Sequence, residues 1–267
     1  MLAAHGKDDL VLGHLLEMSK PFVQETRHYK SLHFDLSEVQ SRMLKNKPDT
    51  LVVDYTRTMM AFLLFNSQPR RIAMLGLGGG SLAKFCYRQL PRTRIDVVEI
   101  NPAVIALRDA FAVPPDDERF RVHLGDGARF LLETTRRYDV VLLDAYSRRG
   151  LPRAMTTQAF YDSCRDALVH DGMLVMNLFC RNSQVHIERI RESFGQAPLS
   201  IQEEDGTNRI VFATAGDAFG RELAFPPNLT LDAAALLKPA LSRVVFAMQA
   251  SRLDLELWGS SPSHSWT

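Results

Sequence analysis

The sequence predicts an α/β domain built on a mostly parallel sheet covered on both faces. Strand-like and helix-like segments alternate between residues 70 and 215, the order that wraps helices around a parallel sheet. The strand segments are near-continuous apolar runs such as Val140-Val141-Leu142-Leu143, which suits burial on both faces rather than one. Three successive strands end on glycines or an acid. Ile72-Ala73-Met74-Leu75 feeds Gly76-Leu77-Gly78-Gly79-Gly80-Ser81, Ile95-Asp96-Val97-Val98 ends on Glu99, and Phe120–Leu124 ends on Gly125-Asp126-Gly127. The carboxyl ends of parallel strands are where an open α/β sheet forms its ligand crevice.

In chain order, residues 1–66 form a small N-terminal β-rich zone. Phe22-Val23-Gln24-Glu25-Thr26 and Ser31–Leu36 alternate well enough to be antiparallel strands, and Asn46–Thr50 reads as a turn. Tyr55–Phe65 has helical spacing and leads to the Pro69 break. Residues 67–215 form the Rossmann-like cofactor-binding domain. Its helices are expected at Ser81–Leu90, Ala103–Ala110, Ala128–Thr135, Thr157–Leu168 and Gln184–Phe194. Further strands are expected at Val140–Leu143, Met173–Leu178, Leu199–Gln202 and Arg209–Thr214. Pro102 suits a helix first turn. Residues 216–267 form an extension: a Pro226-Pro227 break, a helix over Asp232–Arg252, and a Ser/Pro-rich end, Ser260–Thr267, expected to fray.

The 267 residues suffice for one such domain with small appendages. A formal net charge of +1 gives no general attraction to nucleic acid. No apolar run nears the roughly 20 residues that span a bilayer, so no membrane partner is expected. Met1–Asp9 is polar, without a secretory apolar segment. Cys86, Cys164 and Cys180 are few and widely spaced, which fits reduced thiols in a cytoplasmic protein and no metal site.

The glycines at the first strand-to-helix turn let the backbone approach a ligand where a Cβ would collide, although a tight turn without a ligand reads the same way. The dinucleotide fingerprint needs glycine where Ser81 stands, and no Gly-Lys-Ser/Thr supports a P-loop. Glu99 lies 23 residues beyond Gly76. It is either a solvated strand-end acid or a carboxylate accepting both ribose hydroxyls. Asp126 can cap a helix, recognise an adenine amino group, or do both. Asp144 ends the fourth strand, where an acid can orient an amine or accept its proton. Tyr146 and Ser147 flank the same crevice. Arg148, Arg149 and Arg153 are either solvated loop charges or receivers of an acidic substrate. His123 and His186 read as structural.

In this order and spacing these segments resemble the spermidine synthase (polyamine aminopropyltransferase) family. The likeness covers about residues 30–215. It rests on Gly76–Ser81, Val98-Glu99-Ile100, His123–Gly127, Tyr138–Asp144, Phe160-Tyr161, Asp166–Leu168 and Asp171–Leu174, with Gln40-Ser41 resembling a cofactor-contacting glutamine segment. The resemblance implies a class I methyltransferase-like seven-stranded sheet with a small N-terminal β domain. It implies that Glu99, with Ile100, holds the ribose, that Asp126 with the backbone at Gly127 reads the adenine, and that Gly76, Gly78, Gly79 and Gly80 cradle the donor. Gln40 would touch its thioether end, and Asp144 would lie beside the reacting groups. The implied cofactor is decarboxylated S-adenosylmethionine or S-adenosylmethionine, with methylthioadenosine as product or analogue. The partner is a small-molecule acceptor, and the resemblance allows a homodimer.

The chain departs from the family pattern where the acceptor would sit. Counting without gaps from Gly76 to Glu99 puts Gly79 where the family carries an acid for the aminopropyl ammonium. Ser147 stands where a second catalytic-loop acid is expected. Tyr55 is followed by Thr56, Arg57 and Thr58 rather than the family's His and Glu. The family's Pro- and Tyr-containing substrate loop is replaced by Glu203-Glu204-Asp205-Gly206-Thr207-Asn208. An ammonium buried without carboxylates is costly, so ordinary putrescine binding is not expected. Three functions fit: an aminopropyl (or other alkyl) transferase with Asp144, Tyr146 and Ser147 near the reacting groups; an S-adenosylmethionine-dependent methyltransferase; or a non-catalytic nucleoside-binding scaffold.

Overall fold

The computed structural model describes residues 20–35, 39–146, 150–180 and 182–259, with side chains described up to residue 250. The expected Ser260–Thr267 end, and Ser147, Arg148 and Arg149, lie outside these residues. β1 (Phe22–Glu25), β2 (Tyr29–His33) and β3 (Ser41–Leu44) form an antiparallel sheet in that order. The second strand therefore starts and stops earlier than its alternation suggested.

The seven-stranded sheet comprises β4 (Arg71–Leu75), β5 (Arg94–Glu99), β6 (Phe120–Leu124), β7 (Tyr138–Leu143), β8 (Leu168–Leu178), β9 (Leu199–Gln202) and β10 (Arg209–Thr214). Its order is β6-β5-β4-β7-β8-β10-β9. All neighbours run parallel except β10, which is antiparallel to both β8 and β9.

Successive side chains of a strand point to opposite faces, and both faces are buried here. On one face Ile72, Met74, Ile95, Val97, Val140, Leu142, Met173, Val175, Ile210 and Phe212 share a core with α1 (Asp54–Met59) and α2 (Ser81–Gln89). The same core takes in Leu32 and Met43 from the small sheet and Leu237, Leu241 and Val244 from α7 (Leu231–Gly259). One core thus runs through all three zones of the chain. The opposite face, with Leu75, Val98, Val141, Leu143, Leu174 and Met176, packs on α5 (Gln158–Asp166) and α6 (Ser183–Phe194).

Three helices differ from their sequence reading, α7 by running on to Gly259 rather than ending at Arg252. Tyr55–Phe65 is α1 followed by a 3-10 segment, Met60–Leu64, in which every residue is buried. A run with no polar face is held by its surroundings rather than by an amphipathic stripe. α3 is a single turn, Pro102–Ile105, in place of Ala103–Ala110. Beyond it the backbone tightens to three-residue bonds, Leu107 to Val104 and Arg108 to Ile105, and Ala112 turns out at φ 53°. Cys86 and Cys164 are buried free thiols whose pKa burial pushes up.

Lys84 on α2 is 3% exposed, and its Nζ donates 2.7 Å to the Phe111 carbonyl. Burial pulls its pKa down from 10.5 to about 8, against a smaller opposing pull from Asp49. The unfolded chain keeps this proton to higher pH than the folded one. The charge therefore weakens the fold below pH 8, and the penalty fades as pH rises towards 10.5. Lys84→Met should stabilise the protein at pH 7 by on the order of 1–3 kcal/mol in urea unfolding, and the gain over wild type should shrink between these two pH values. Comparing the two proteins cancels the cysteines and tyrosines that titrate in the same range. A gain that stays constant with pH would contradict this account.

Candidate active site

At the carboxyl edge of the sheet, the core face described first changes from apolar to polar. Val97 is followed two residues on by Glu99, Leu142 by Asp144, Val175 by Asn177 and Ile201 by Glu203. All four polar residues line one cleft of about 2270 Å3.

The glycine loop fits against this edge by close contact. The Gly76 N–H donates 2.8 Å to the Val98 carbonyl. At φ 98°, a Cβ on Gly76 would stand 2.3 Å from the Asp144 carbonyl oxygen. Gly78, at φ 52°, has only the Ser41 Cβ at 4.0 Å near its missing Cβ, and it lines the cleft. Gly79 and Gly80 do not line it. A Cβ on Gly79 would meet Ser41 Oγ at 2.6 Å and the Phe111 ring at 3.0 Å, and one on Gly80 would meet Val113 at 2.4 Å. These two glycines therefore serve packing and the start of α2, and the residue with room for a side chain facing the cleft is Gly78.

Glu99 is 8% exposed. Its Oε2 accepts the Leu77 N–H and its Oε1 the Asn101 N–H, both at 2.9 Å. Burial raises its pKa, and backbone N–H groups from Asn101, Leu77, Gly78 and Ile100 pull it back. Each oxygen retains acceptor capacity for a ligand hydroxyl. Ile100 presents an exposed apolar side chain beside it in the cleft. Asp126 caps α4 (Gly127–Glu133), Oδ1 accepting the N–H groups of Ala128 at 2.7 Å and Arg129 at 3.2 Å. Gly127 packs against Leu75 and Met155.

Asp144 is half-buried. Tyr55 donates to its Oδ2 at 2.9 Å and the Asn177 amide to its Oδ1 at 3.0 Å. Burial raises its pKa, opposed by these two bonds. No ion pair reaches it among the described residues. Asn177 Oδ1 is buried and has no hydrogen-bond partner among them.

The Tyr146 hydroxyl is fully engaged. It donates to the Asn177 carbonyl and accepts the Phe179 N–H, both at 2.7 Å. It clamps the end of β7 to that of β8, and burial raises its pKa. Tyr146 thus holds the Asp144–Asn177 pair in place and has no free position for proton transfer. Gln40 and Arg153 line the cleft, and Ser41 Oγ lies 3.3 Å from Ser81 Oγ.

Sequence reasoning did not single out Asn177 or Arg243, named Glu203 only as part of the loop replacing a family segment, and treated Tyr55 only as a neighbour of missing residues. The available signal was a polar residue ending an apolar alternation: Met173, Val175, Asn177 and Leu199, Ile201, Glu203. Arg243, on α7, donates to Thr58 Oγ1 at 2.8 Å and to Glu203 Oε2 at 2.9 Å.

A seven-stranded sheet with a single antiparallel strand, a glycine loop after its first strand and acids along its carboxyl edge define a methyltransferase-like α/β protein. Residues 52–197 match the spermine/spermidine synthase domain, and the chain belongs to that family. It is 36% identical over 195 residues to a polyamine aminopropyltransferase of Neisseria meningitidis, covering 72% of this chain and 74% of the relative. A probable spermidine synthase from Corynebacterium glutamicum shares the fold, with TM-score 0.63 and 18% identity over 81% of each chain. So does human methyltransferase-like protein 13 in complex with SAH, with TM-score 0.54 and 24% identity over 72% of this chain and 90% of that one. The chain is an alkyl-group transferase of the S-adenosylmethionine type. Among the described residues no helix is long and apolar enough to cross a membrane, and no group of three or more His, Cys, Asp or Glu could hold a metal ion.

The packing at the glycine loop gives a direct test. Gly79→Asp should lower stability by about 1–3 kcal/mol, the usual cost of overpacking, and Ser41→Gly should restore part of it. Gly78→Asp should cost less, because Asp tolerates the left-handed region and the space is open. Equal urea midpoints for the two aspartate variants would refute the assignment.

Proposed function

We propose that this protein transfers an aminopropyl or related alkyl group from an adenosyl sulfonium donor to a small amine. One observation carries the reading: Asp144, a carboxylate without a cationic partner among the described residues, stands in the same cleft as the glycine loop, Glu99 and Asp126. The residues present suit an adenosyl group. Glu99 offers acceptors for the ribose hydroxyls, Asp126 Oδ2 is free of the helix cap and suits the adenine amino group, and Gly76–Gly78 leaves backbone where side chains would intrude. When bound, such a donor supplies an electrophilic carbon beside its sulfonium and a neutral thioether as leaving group.

The chain's own residues then have definite tasks. Asp144 Oδ1 or Oδ2 takes the proton of the attacking amine. Its raised pKa, caused by burial, makes it a better base than a solvated aspartate. The Tyr55 hydroxyl and the Asn177 amide keep it in one rotamer. Asn177 Oδ1, without a donor among the described residues, can accept an N–H of the same amine and aim its lone pair.

Methyl transfer is a second reading, favoured by the glycine loop, which carries no acid and at Gly79 has no room for one. Calorimetry separates the two. Preference for decarboxylated S-adenosylmethionine over S-adenosylmethionine by tenfold, about 1.4 kcal/mol, supports aminopropyl transfer, and the reverse supports methyl transfer. Binding of neither, nor of methylthioadenosine, would remove both.

Asp144→Asn should lower turnover by about 10²–10⁴-fold while methylthioadenosine affinity is kept. In wild type the acid limb of kcat/KM should lie above pH 3.8, the ordinary value for this group, and should vanish in the variant. An unaltered profile would exclude Asp144 as the base. Glu99→Gln should weaken every adenosyl ligand, and unchanged affinity would take Glu99 out of the ribose role.

A further inference from the structure

The glycine loop is backed by a turn that is unfavourable in two ways. The ammonium of Lys84 is buried, and its hydrogen bond among the described residues runs to a neutral acceptor, the Phe111 carbonyl, at 2.7 Å. No ion pair reaches it among those residues, and the pull of Asp49 is smaller than the cost of its burial. A buried charge met in this way weakens the fold. The next residue of the turn, Ala112, stands at φ 53°, a region that disfavours any residue with a Cβ. Strain of this kind persists only where the surroundings hold it, and it collects beside functional sites.

The turn packs on the back of the glycine loop. The Phe111 ring lies 3.0 Å from where a Cβ of Gly79 would stand, and Val113 lies 2.4 Å from where one of Gly80 would stand. The Val113 N–H returns to the Arg108 carbonyl at 2.9 Å, which closes Phe111, Ala112 and Val113 into one turn. Lys84 sits one helical turn past Gly80, its N–H bonded to the Gly80 carbonyl at 2.9 Å. Its side chain therefore joins the start of α2 to the turn that presses on the loop from behind. Lys84, Phe111 and Val113 do not line the cleft, whereas Gly76, Leu77, Gly78 and Ser81 do. Any effect of Lys84 on a ligand must pass through the loop. Three residues along α2, a second tie to the following segment lies at the surface: the Tyr87 hydroxyl donates to Asp117 at 2.7 Å.

We infer that Lys84 is a positioning residue of the donor cleft: its ammonium holds the Phe111–Val113 turn against Gly79 and Gly80 and so fixes the glycine loop that receives the donor. This rests on the proposed adenosyl donor. It gives the buried charge a use that opposes its effect on stability.

The test is made on the full chain with methylthioadenosine calorimetry, urea unfolding and amide hydrogen exchange of the loop peptide. Lys84→Met should raise the urea midpoint at pH 7 and yet weaken methylthioadenosine by about tenfold, as loss of a hydrogen bond to a charged group allows. In the free protein the Gly80 amide, bonded to the Leu77 carbonyl, should exchange faster in the variant despite its greater global stability. Tyr87→Phe, which cuts the surface tie, should leave affinity and loop exchange at wild-type values. Val113→Ala keeps Lys84 and removes the contact on Gly80, so it should show the same weaker binding and faster loop exchange. Unchanged affinity or unchanged loop exchange in Lys84→Met would overturn the assignment. So would wild-type behaviour of Val113→Ala, which decides the matter even if Lys84→Met does not fold. An equal loss in Tyr87→Phe would show that any tether serves and would overturn the particular role of Lys84. If wild type binds no methylthioadenosine, the adenosyl reading fails, and the exchange of the Gly80 amide alone decides whether Lys84 fixes the loop.

Discussion

The site depends on the alternation of side chains along strands that are buried on both faces. The two alternate residues of β4, β5, β7, β8 and β9 that precede the carboxyl edge, such as Ile72 and Met74 or Val140 and Leu142, enter the core shared with α1, α2 and α7. The next position in each of those rows lies at the carboxyl edge, where the covering helices no longer exclude a ligand. There the rows read Gly76, Glu99, Asp144, Asn177 and Glu203. Register fixes this set as a unit, because a slip of one residue would send each polar group to the opposite face and into the α5–α6 core. The glycine in the row has its own cause: β4 turns into its loop directly against the Asp144 carbonyl, and a Cβ there would overlap it.

Placing carboxylates in such a row works against folding, since burial disfavours their charged form. The structure offsets this locally and differently at each position. Glu99 is met by backbone N–H groups of the loop it steadies, so the interaction that lowers its cost also shapes the glycine loop. Asp144 is met by two neutral side chains, a phenol and an amide, which orient it without supplying a full positive charge. A cation in their place would have pulled its pKa down and left a weaker base. Tyr146 adds nothing to the charge. By clamping β7 to β8 it keeps Asn177 within reach of Asp144.

What the sequence revealed follows the same physics. Glu99, Asp126 and Asp144 were legible because each closes an apolar run and so marks its own strand end. The sheet was legible because burial on both faces leaves unbroken apolar stretches. Tyr55, Asn177, Glu203 and Arg243 were not, because their meaning arises only from pairing. The Tyr55–Asp144 bond spans 89 residues and the Arg243–Thr58 bond 185. Counting along the glycine loop pointed to Gly79; that Ser41 and Phe111 crowd a Cβ there while Gly78 is open is visible only in three dimensions. The short α3 was hidden for a related reason. Its sequence is helical in spacing, but the chain tightens and turns out at Ala112, where the Phe111 carbonyl receives Lys84.

The division of the cleft also explains why the two halves of the function differ in legibility. The segment matching the family, residues 52–197, contains the glycine loop, Glu99, Asp126, Asp144, Tyr55 and Asn177. The groups that close the cleft from either side come from outside it: Gln40 and Ser41 before, Glu203–Asn208 and Arg243 after. On the proposed reading most of the donor cradle lies within that segment, and Gln40 reaches it from outside. On the same reading the walls from outside the segment meet the acceptor. Here those walls are tied together by one guanidinium reaching from α7 to α1 and to the end of β9. Changing this end of the cleft therefore requires α7 and the β9–β10 loop to change as a pair, while the strand ends that carry Glu99 and Asp144 keep their register.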